Sequence, residues 1–121
     1  MTLESLPQEL SEFINYEEGL ARIRGNKKIY SKTLEMFIRT KEFDNLEEAL
    51  KKDDLEKAGY IAHTIKGMAG NLSIAKIFKI SSVLQDEFEK GIRNEENISE
   101  LFVAADKTAE YIVLLIKALA I

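Results

Sequence analysis

The chain contains no cysteine, no tryptophan, one proline and one histidine in 121 residues. The lack of cysteine removes disulfides and thiolate metal sites and leaves the redox compartment unmarked. The single proline, Pro7, sits at the amino end, so nothing after it breaks a helix by removing a backbone donor. Strand-like alternation of apolar and polar residues is also missing. Positive charge is not in excess: 17 Lys and Arg stand against 21 Asp and Glu, for a net charge of −4. A general nucleic-acid binder would instead show a basic face. Long apolar runs are lacking too. Residues 111–121 are interrupted by Lys117 and fall short of the ~20 residues that cross a bilayer. Residues 1–7 have neither the basic start nor the apolar stretch of a signal peptide. These absences lead to the expectation of a soluble, cytoplasmic, free-standing protein with no membrane or nucleic-acid partner.

What is present is helical pattern. With 45% hydrophobic residues, the chain suits one domain, residues 1–121, around a single core. Residues 7–13 read as a short helix with Pro7 near its start. Asn15 reads as an N-cap, with Glu18 closing a capping box for a further turn through Ile23, and Gly25-Asn26 ends that piece. Residues 1–25 are therefore expected as a helical cap, and residues 26–121 as an antiparallel up-down four-helix bundle. In the helix from Asn26, the inner side is expected to carry Ile29, Tyr30, Thr33, Phe37 and Thr40. Residues 43–50 either continue that helix or form a separate turn. Asp53 and Asp54 suit the cap of the next helix, which runs to Gly70-Asn71, a pair suited to a left-handed C-cap. Ser73 opens another, with Ile77, Ile80, Leu84 and Phe88 as its apolar stripe and Gly91 near its end. The last helix begins around Asn97 or Ser99, with Ile98, Leu101, Ala105, Thr108, Ile112, Leu115 and Leu119 as a near-heptad stripe. Phe37, Phe78, Phe88, Phe102, Met36 and Met68 are expected to fill the core rather than a cofactor box.

The one histidine lies on the helix built from Leu55, Ala58, Ala62, Ile65, Ala69 and Leu72. At about 100° per residue, His63 points about 150° from the middle of that stripe. Its neighbours at i−4, i+4 and i+7 are Gly59, Gly67 and Gly70. Each interior glycine costs about 1 kcal/mol relative to alanine. Close helix packing is one reason to accept that cost; access to the imidazole is the other, favoured because the glycines lie away from the apolar stripe. Lys66 at i+3 shares the helix surface. Reflecting His63 about the turn at residues 71–73 lands between Ser81 and Gln85, which places the Gln85 amide against one ring nitrogen. An exposed imidazole is largely neutral at pH 7 and therefore nucleophilic. An ammonium beside it favours a dianionic group attached to it, and missing side chains admit a partner's active site. These ingredients suit a histidine phosphorylated and dephosphorylated in line by another protein. One histidine without cysteine makes a poor metal or haem site, and no Glu-x-x-His pair or G-x-x-x-x-G-K-[ST] loop is present.

The run Ala62-His63-Thr64-Ile65-Lys66-Gly67-Met68-Ala69-Gly70-Asn71-Leu72 resembles the signature of histidine-containing phosphotransfer (HPt) domains of two-component phosphorelays. Residues 19–30 and 46–50 are similar to the family's upstream pattern, so the resemblance runs from about residue 14 to residue 88. It implies that His63 is the phosphoacceptor, Lys66 its basic neighbour and Gly67 the small residue that leaves room for the partner. It implies that Gln85 occupies a position from which a polar side chain hydrogen-bonds the histidine. It further implies a phosphocarrier with no catalytic activity of its own and no cofactor. Phosphoryl groups would come from one receiver-domain aspartate and pass to another, with Mg²⁺ and the acid cluster on the receiver. The expected partners are response-regulator receiver domains and a hybrid sensor histidine kinase, and the expected state is a monomer. Ser73-Ile74 departs from the two small residues common in the family, and Met68 from a small one. Two rivals remain. A non-phosphorylated interaction domain would bind through the same face without His63. A histidine kinase dimerisation domain would need an ATP-binding domain that this chain lacks.

Overall fold

The computed structural model describes residues 1–120; Ile121, the last residue of the expected bundle, lies outside the described residues. Regular structure within them is helical throughout. A 3₁₀ turn at Leu3–Ser5 precedes α1 (Leu10–Phe13), α2 (Tyr16–Arg22), α3 (Lys27–Ile38), α4 (Glu42–Lys51), α5 (Leu55–Asn71), α6 (Ala75–Glu89) and α7 (Glu95–Leu119). None of these helices is long and apolar enough to cross a membrane.

Sharp turns separate the helices because each stop and start has its own chemistry. Asn15, Asn26, Asp54 and Asn94 cap α2, α3, α5 and α7, each accepting the backbone N–H three residues on. That satisfies one donor left orphaned by the first turn. The last helix accordingly begins at Glu95, before Asn97 or Ser99, because Asn94 provides the cap. At the other ends, Arg24, Asp53, Ser73 and Gly91 take left-handed backbone angles, with φ of 56°, 53°, 58° and 73°. The residue after each donates to a carbonyl five positions back: Gly25 to Leu20, Asp54 to Ala49, Ile74 to Ala69 and Ile92 to Glu87, at 2.7–2.9 Å. This is the hydrogen-bond pattern that closes a helix over a left-handed residue. Gly70 and Asn71 thus remain helical, and Ser73 takes the reversal expected of them.

Five helices of ten residues or more form the bundle, since α3 and α4 are separate elements rather than one. Packing runs α3 on α7, α7 on α6, α6 on α5 and α5 on α4, and these helices share one core. The core includes Leu34, Leu46, Ile65, Ile77, Leu84, Leu101 and Ile112, together with Leu10 and Ile14 from the amino-terminal segment. On α3 the buried residues are Tyr30, Leu34 and Phe37. Ile29, expected inside, is half exposed, because the 3.6-residue period turns it away once Leu34 defines the centre of the face. Phe37, Phe88 and Phe102 face or border the core, whereas Met36 and Phe78 do not: they are 64% and 41% exposed.

The amino-terminal segment grips the α5–α6 turn. The Asn15 N–H donates to the Ser73 carbonyl at 2.9 Å, so the reciprocal half of the expected capping box does not form. The Glu18 carboxylate is released to accept from Ser73 Oγ at 2.9 Å and from Arg22 at 2.8 Å. Arg22 also donates to the Gly70 carbonyl, and the Tyr30 hydroxyl donates to the Leu72 carbonyl at 2.7 Å. Burial pushes the Tyr30 phenol well above its ordinary range, which keeps it a donor.

One buried polar atom has no partner among the described residues, the Thr108 hydroxyl of α7. An unsatisfied buried hydroxyl costs about 1–3 kcal/mol. Thr108→Val keeps the shape and removes the orphan, so it should raise unfolding free energy by about 1 kcal/mol in a urea titration. A loss of stability would show that the hydroxyl is satisfied.

Candidate functional site

His63 stands exposed near the middle of α5. The α5 face toward the bundle is made of Ala58, Gly59, Ile61, Ala62, Ile65 and Ala69, all buried. Four of these are alanine or glycine side-chain sites, which lets α6 approach closely. The three-residue connection, residues 72–74, makes the two helices antiparallel, and their contacts follow one register. Gly59 lies against Phe88 and Glu89, His63 against Gln85, and Gly70 against Phe78. The pairs Gly59–Glu89, His63–Gln85 and Gly70–Phe78 are each symmetrical about Ile74, which is fully buried.

Within that register the imidazole is held from one side only. His63 Nδ1 is 3.4 Å from Gln85 Oε1. Gln85 Nε2 in turn donates to Glu89 Oε1 at 3.0 Å. A carbonyl oxygen facing a ring nitrogen requires that nitrogen to carry the hydrogen, which leaves the Nε2 lone pair unused. His63 stands outside the principal surface hollows. One groove between α5 and α6 is lined by Gly59, Tyr60, Phe88, Glu89 and Gly91. No group of three or more His, Asp or Glu side chains among the described residues is arranged to hold a metal ion.

The three glycines do different things. A Cβ at Gly67 would meet nothing within 4 Å. A Cβ at Gly59 would rest 3.6 Å from Phe88 Cβ and 3.9 Å from Glu89 Cγ, ordinary contact at a buried helix interface. A Cβ at Gly70 would come within 3.1 Å of the Phe78 ring. Gly59 and Gly70 therefore serve the α5–α6 contact that the position of the apolar stripe seemed to disfavour. The buried face of α5 is wide enough to reach Gly59, and Phe78 folds over Gly70. Only Gly67 opens onto empty space one turn past His63.

Lys66 lies beside that opening, with Nζ 5.8 Å from the centre of the Phe78 ring. Such a cation–π contact contributes about 0.5–1 kcal/mol at an exposed site, and Lys66 makes no ion pair among the described residues. Phe78 and Glu89 were missed as site residues by sequence reasoning. The usable signal was spacing: Phe78 and Glu89 lie seven residues before and four after Gln85, on the same side of α6. Tyr60, 68% exposed, stands one turn before Thr64 and donates no side-chain hydrogen bond; its carbonyl accepts from Thr64 Oγ1 at 3.2 Å.

A family model for the Hpt domain matches residues 33–119. The match includes α7, assigned above by pattern alone, and begins within α3, so α1 and α2 lie outside it. No curated protein and no solved structure matches the chain.

If the opening at Gly67 has no structural purpose, filling it should favour the helix. Gly67→Ala should raise unfolding free energy by about 1 kcal/mol, measured by urea denaturation. Gly70→Ala should gain less, because Phe78 must move. Equal gains at both positions would contradict the geometry.

Proposed function

The chain belongs to the Hpt domain family, and from that premise we propose that His63 is the phosphoacceptor of a phosphorelay intermediate. Hpt domains take part in histidine-containing phosphotransfer in two-component signalling, interact there with receiver domains and kinases, and carry the group without catalytic activity of their own. The observation that carries the assignment to His63 is the asymmetry of its ring. Nδ1 faces Gln85 Oε1, while Nε2 has no hydrogen-bond partner among the described residues, and Gly67 one turn on leaves space unfilled.

In the forward step the Nε2 lone pair attacks phosphorus of an aspartyl phosphate on a receiver domain. An N–P bond forms as the acyl P–O bond breaks, and the receiver carboxylate leaves with that electron pair. No proton has to move, because the attacking nitrogen carries none. The ring becomes cationic, with its proton still on Nδ1, where the Gln85 carbonyl accepts a charge-assisted hydrogen bond. Transfer onward reverses these events at a second receiver. Mg²⁺ and the acid cluster come from the receiver, and this chain supplies no metal ligand of its own. Lys66 offers its ammonium to the dianionic phosphoryl group once that group is attached. Gly67 lets the receiver's active site approach the ring closely enough for in-line transfer. The kinase that feeds the relay is a hybrid sensor, and the chain acts as a cytoplasmic monomer.

The test is labelling by a receiver charged with phosphate in the presence of Mg²⁺. His63→Gln should abolish an acid-labile, alkali-stable label while the circular dichroism of the helices is unchanged. Gly67→Leu should slow labelling by about tenfold or more through misplacement of the receiver, without loss of thermal stability. Label that persists in His63→Gln would overturn the assignment.

A further inference from the structure

A glutamine beside a histidine does not by itself choose a tautomer. Its amide can present either a carbonyl, which selects Nδ1–H, or an NH₂ group, which selects Nε2–H. The two orientations have nearly the same shape. Something else must decide between them, and in this chain it is a carboxylate on α6. Gln85 Nε2 donates to Glu89 Oε1 at 3.0 Å, one helical turn further along α6. An ionised carboxylate accepts hydrogen bonds and cannot donate one. It therefore draws the NH₂ end of the amide toward itself and repels the carbonyl end.

The geometry points to Glu89 as a positioning residue that sets the tautomer of His63 through the Gln85 amide. With the NH₂ end held by Glu89, Gln85 Oε1 is the atom delivered to His63 Nδ1, 3.4 Å away. Nδ1 then keeps the hydrogen, and Nε2 keeps the lone pair on the open side of the ring. Free histidine favours the opposite tautomer, so the protein reverses an intrinsic preference. Glu89 comes close to α5 at Gly59. Its Cγ lies 3.9 Å from the place a Cβ would occupy on Gly59. A side chain at position 59 would therefore reach the stem of the residue that orients Gln85. This inference rests on the assignment of His63 as nucleophile for its purpose, but its chemistry is readable in the isolated protein.

The measurement is the tautomer ratio of His63 from long-range ¹H–¹⁵N spectra of protein labelled at histidine, taken at about pH 8.5 where imidazole is neutral. His63 is the only histidine, so the signals need no assignment. The Nδ1–H form should predominate in the wild type. Glu89→Lys should reverse the bias, since an ammonium attracts the carbonyl end of Gln85 and turns NH₂ toward the ring. The ratio should fall by about threefold or more, the scale of one exposed hydrogen bond. Glu89→Gln, whose amide pairs either way, should fall in between. In a Gln85→Leu background Glu89→Lys should leave the ratio unchanged, because the route through the amide is gone. Glu89 is exposed at the last turn of α6, and thermal unfolding checks that each variant folds. If Glu89→Lys fails to fold, Glu89→Gln carries the test with a smaller shift. Equal ratios in wild type and variants, a wild type dominated by Nε2–H, or a shift that survives Gln85→Leu would each overturn the inference. No phosphodonor is present, so a tautomer shift without labelling of His63 would defeat the proposed function alone. Labelling without a tautomer shift would defeat this inference alone.

Discussion

The register between α5 and α6 is the constraint on which the site depends. Three contacts along the pair, Gly59 with Glu89, His63 with Gln85 and Gly70 with Phe78, share one centre at Ile74. A slip of one residue on α6 would rotate Gln85 by about 100° away from the histidine. The register is fixed at both scales available to it. Locally, Ser73 adopts the left-handed angle that closes α5, and Ile74 is driven fully into the core. At longer range the amino-terminal segment clamps the turn from outside. Asn15, Glu18, Arg22 and Tyr30 supply partners for Ser73, Gly70 and Leu72. The left-handed angle at a non-glycine residue costs about 1–2 kcal/mol, and the hydrogen bonds to Ser73 offset it.

That clamp gives α2 a purpose for function as well as for stability. It lies outside the residues matched by the family model, yet it holds the end of the helix that carries His63. Small side chains on the buried face of α5 complete the arrangement by letting α6 come close. The same helix then has two kinds of glycine with opposite logic. Gly59 and Gly70 are filled by neighbours, Phe88 and Phe78 respectively, so the helix propensity they forgo is partly recovered in packing. Gly67 recovers nothing within the chain. The proposed docking role of Gly67 accounts for a cost of about 1 kcal/mol that has no return within the chain.

Much of this was legible in the sequence because the helices are amphipathic and their caps are chemically explicit. Asn15 and Asp54 read as caps and act as caps. The apolar stripe of α6 was read residue for residue, and reflection about the turn brought Gln85 close to His63. What failed to show was the set of helix ends. Three of the four residues that close a helix in a left-handed angle are Arg24, Asp53 and Ser73 rather than glycine. Propensity pointed to Gly70 and Asn71, but tertiary contacts from α2 made Ser73 the better place to turn. The same tertiary effect undid the capping box, since Asn15 spends its N–H on Ser73. Phe78 was hidden because an aromatic at helical spacing normally belongs to the core. Here it lies over Gly70, under the ammonium of Lys66. The distinct tasks of the three glycines were invisible for a similar reason, because spacing along one helix says nothing of what the next helix places against it.

The central claim is that the protein holds one nitrogen of His63 and exposes the other. The most direct measurement is the position of the phosphoryl group on the ring, read from ³¹P–¹⁵N couplings after transfer from a charged receiver to histidine-labelled protein. The account predicts a single phosphorylated species with phosphorus bonded to Nε2 and hydrogen on Nδ1. Phosphorus on Nδ1, or a mixture of both isomers formed at the outset, would contradict it.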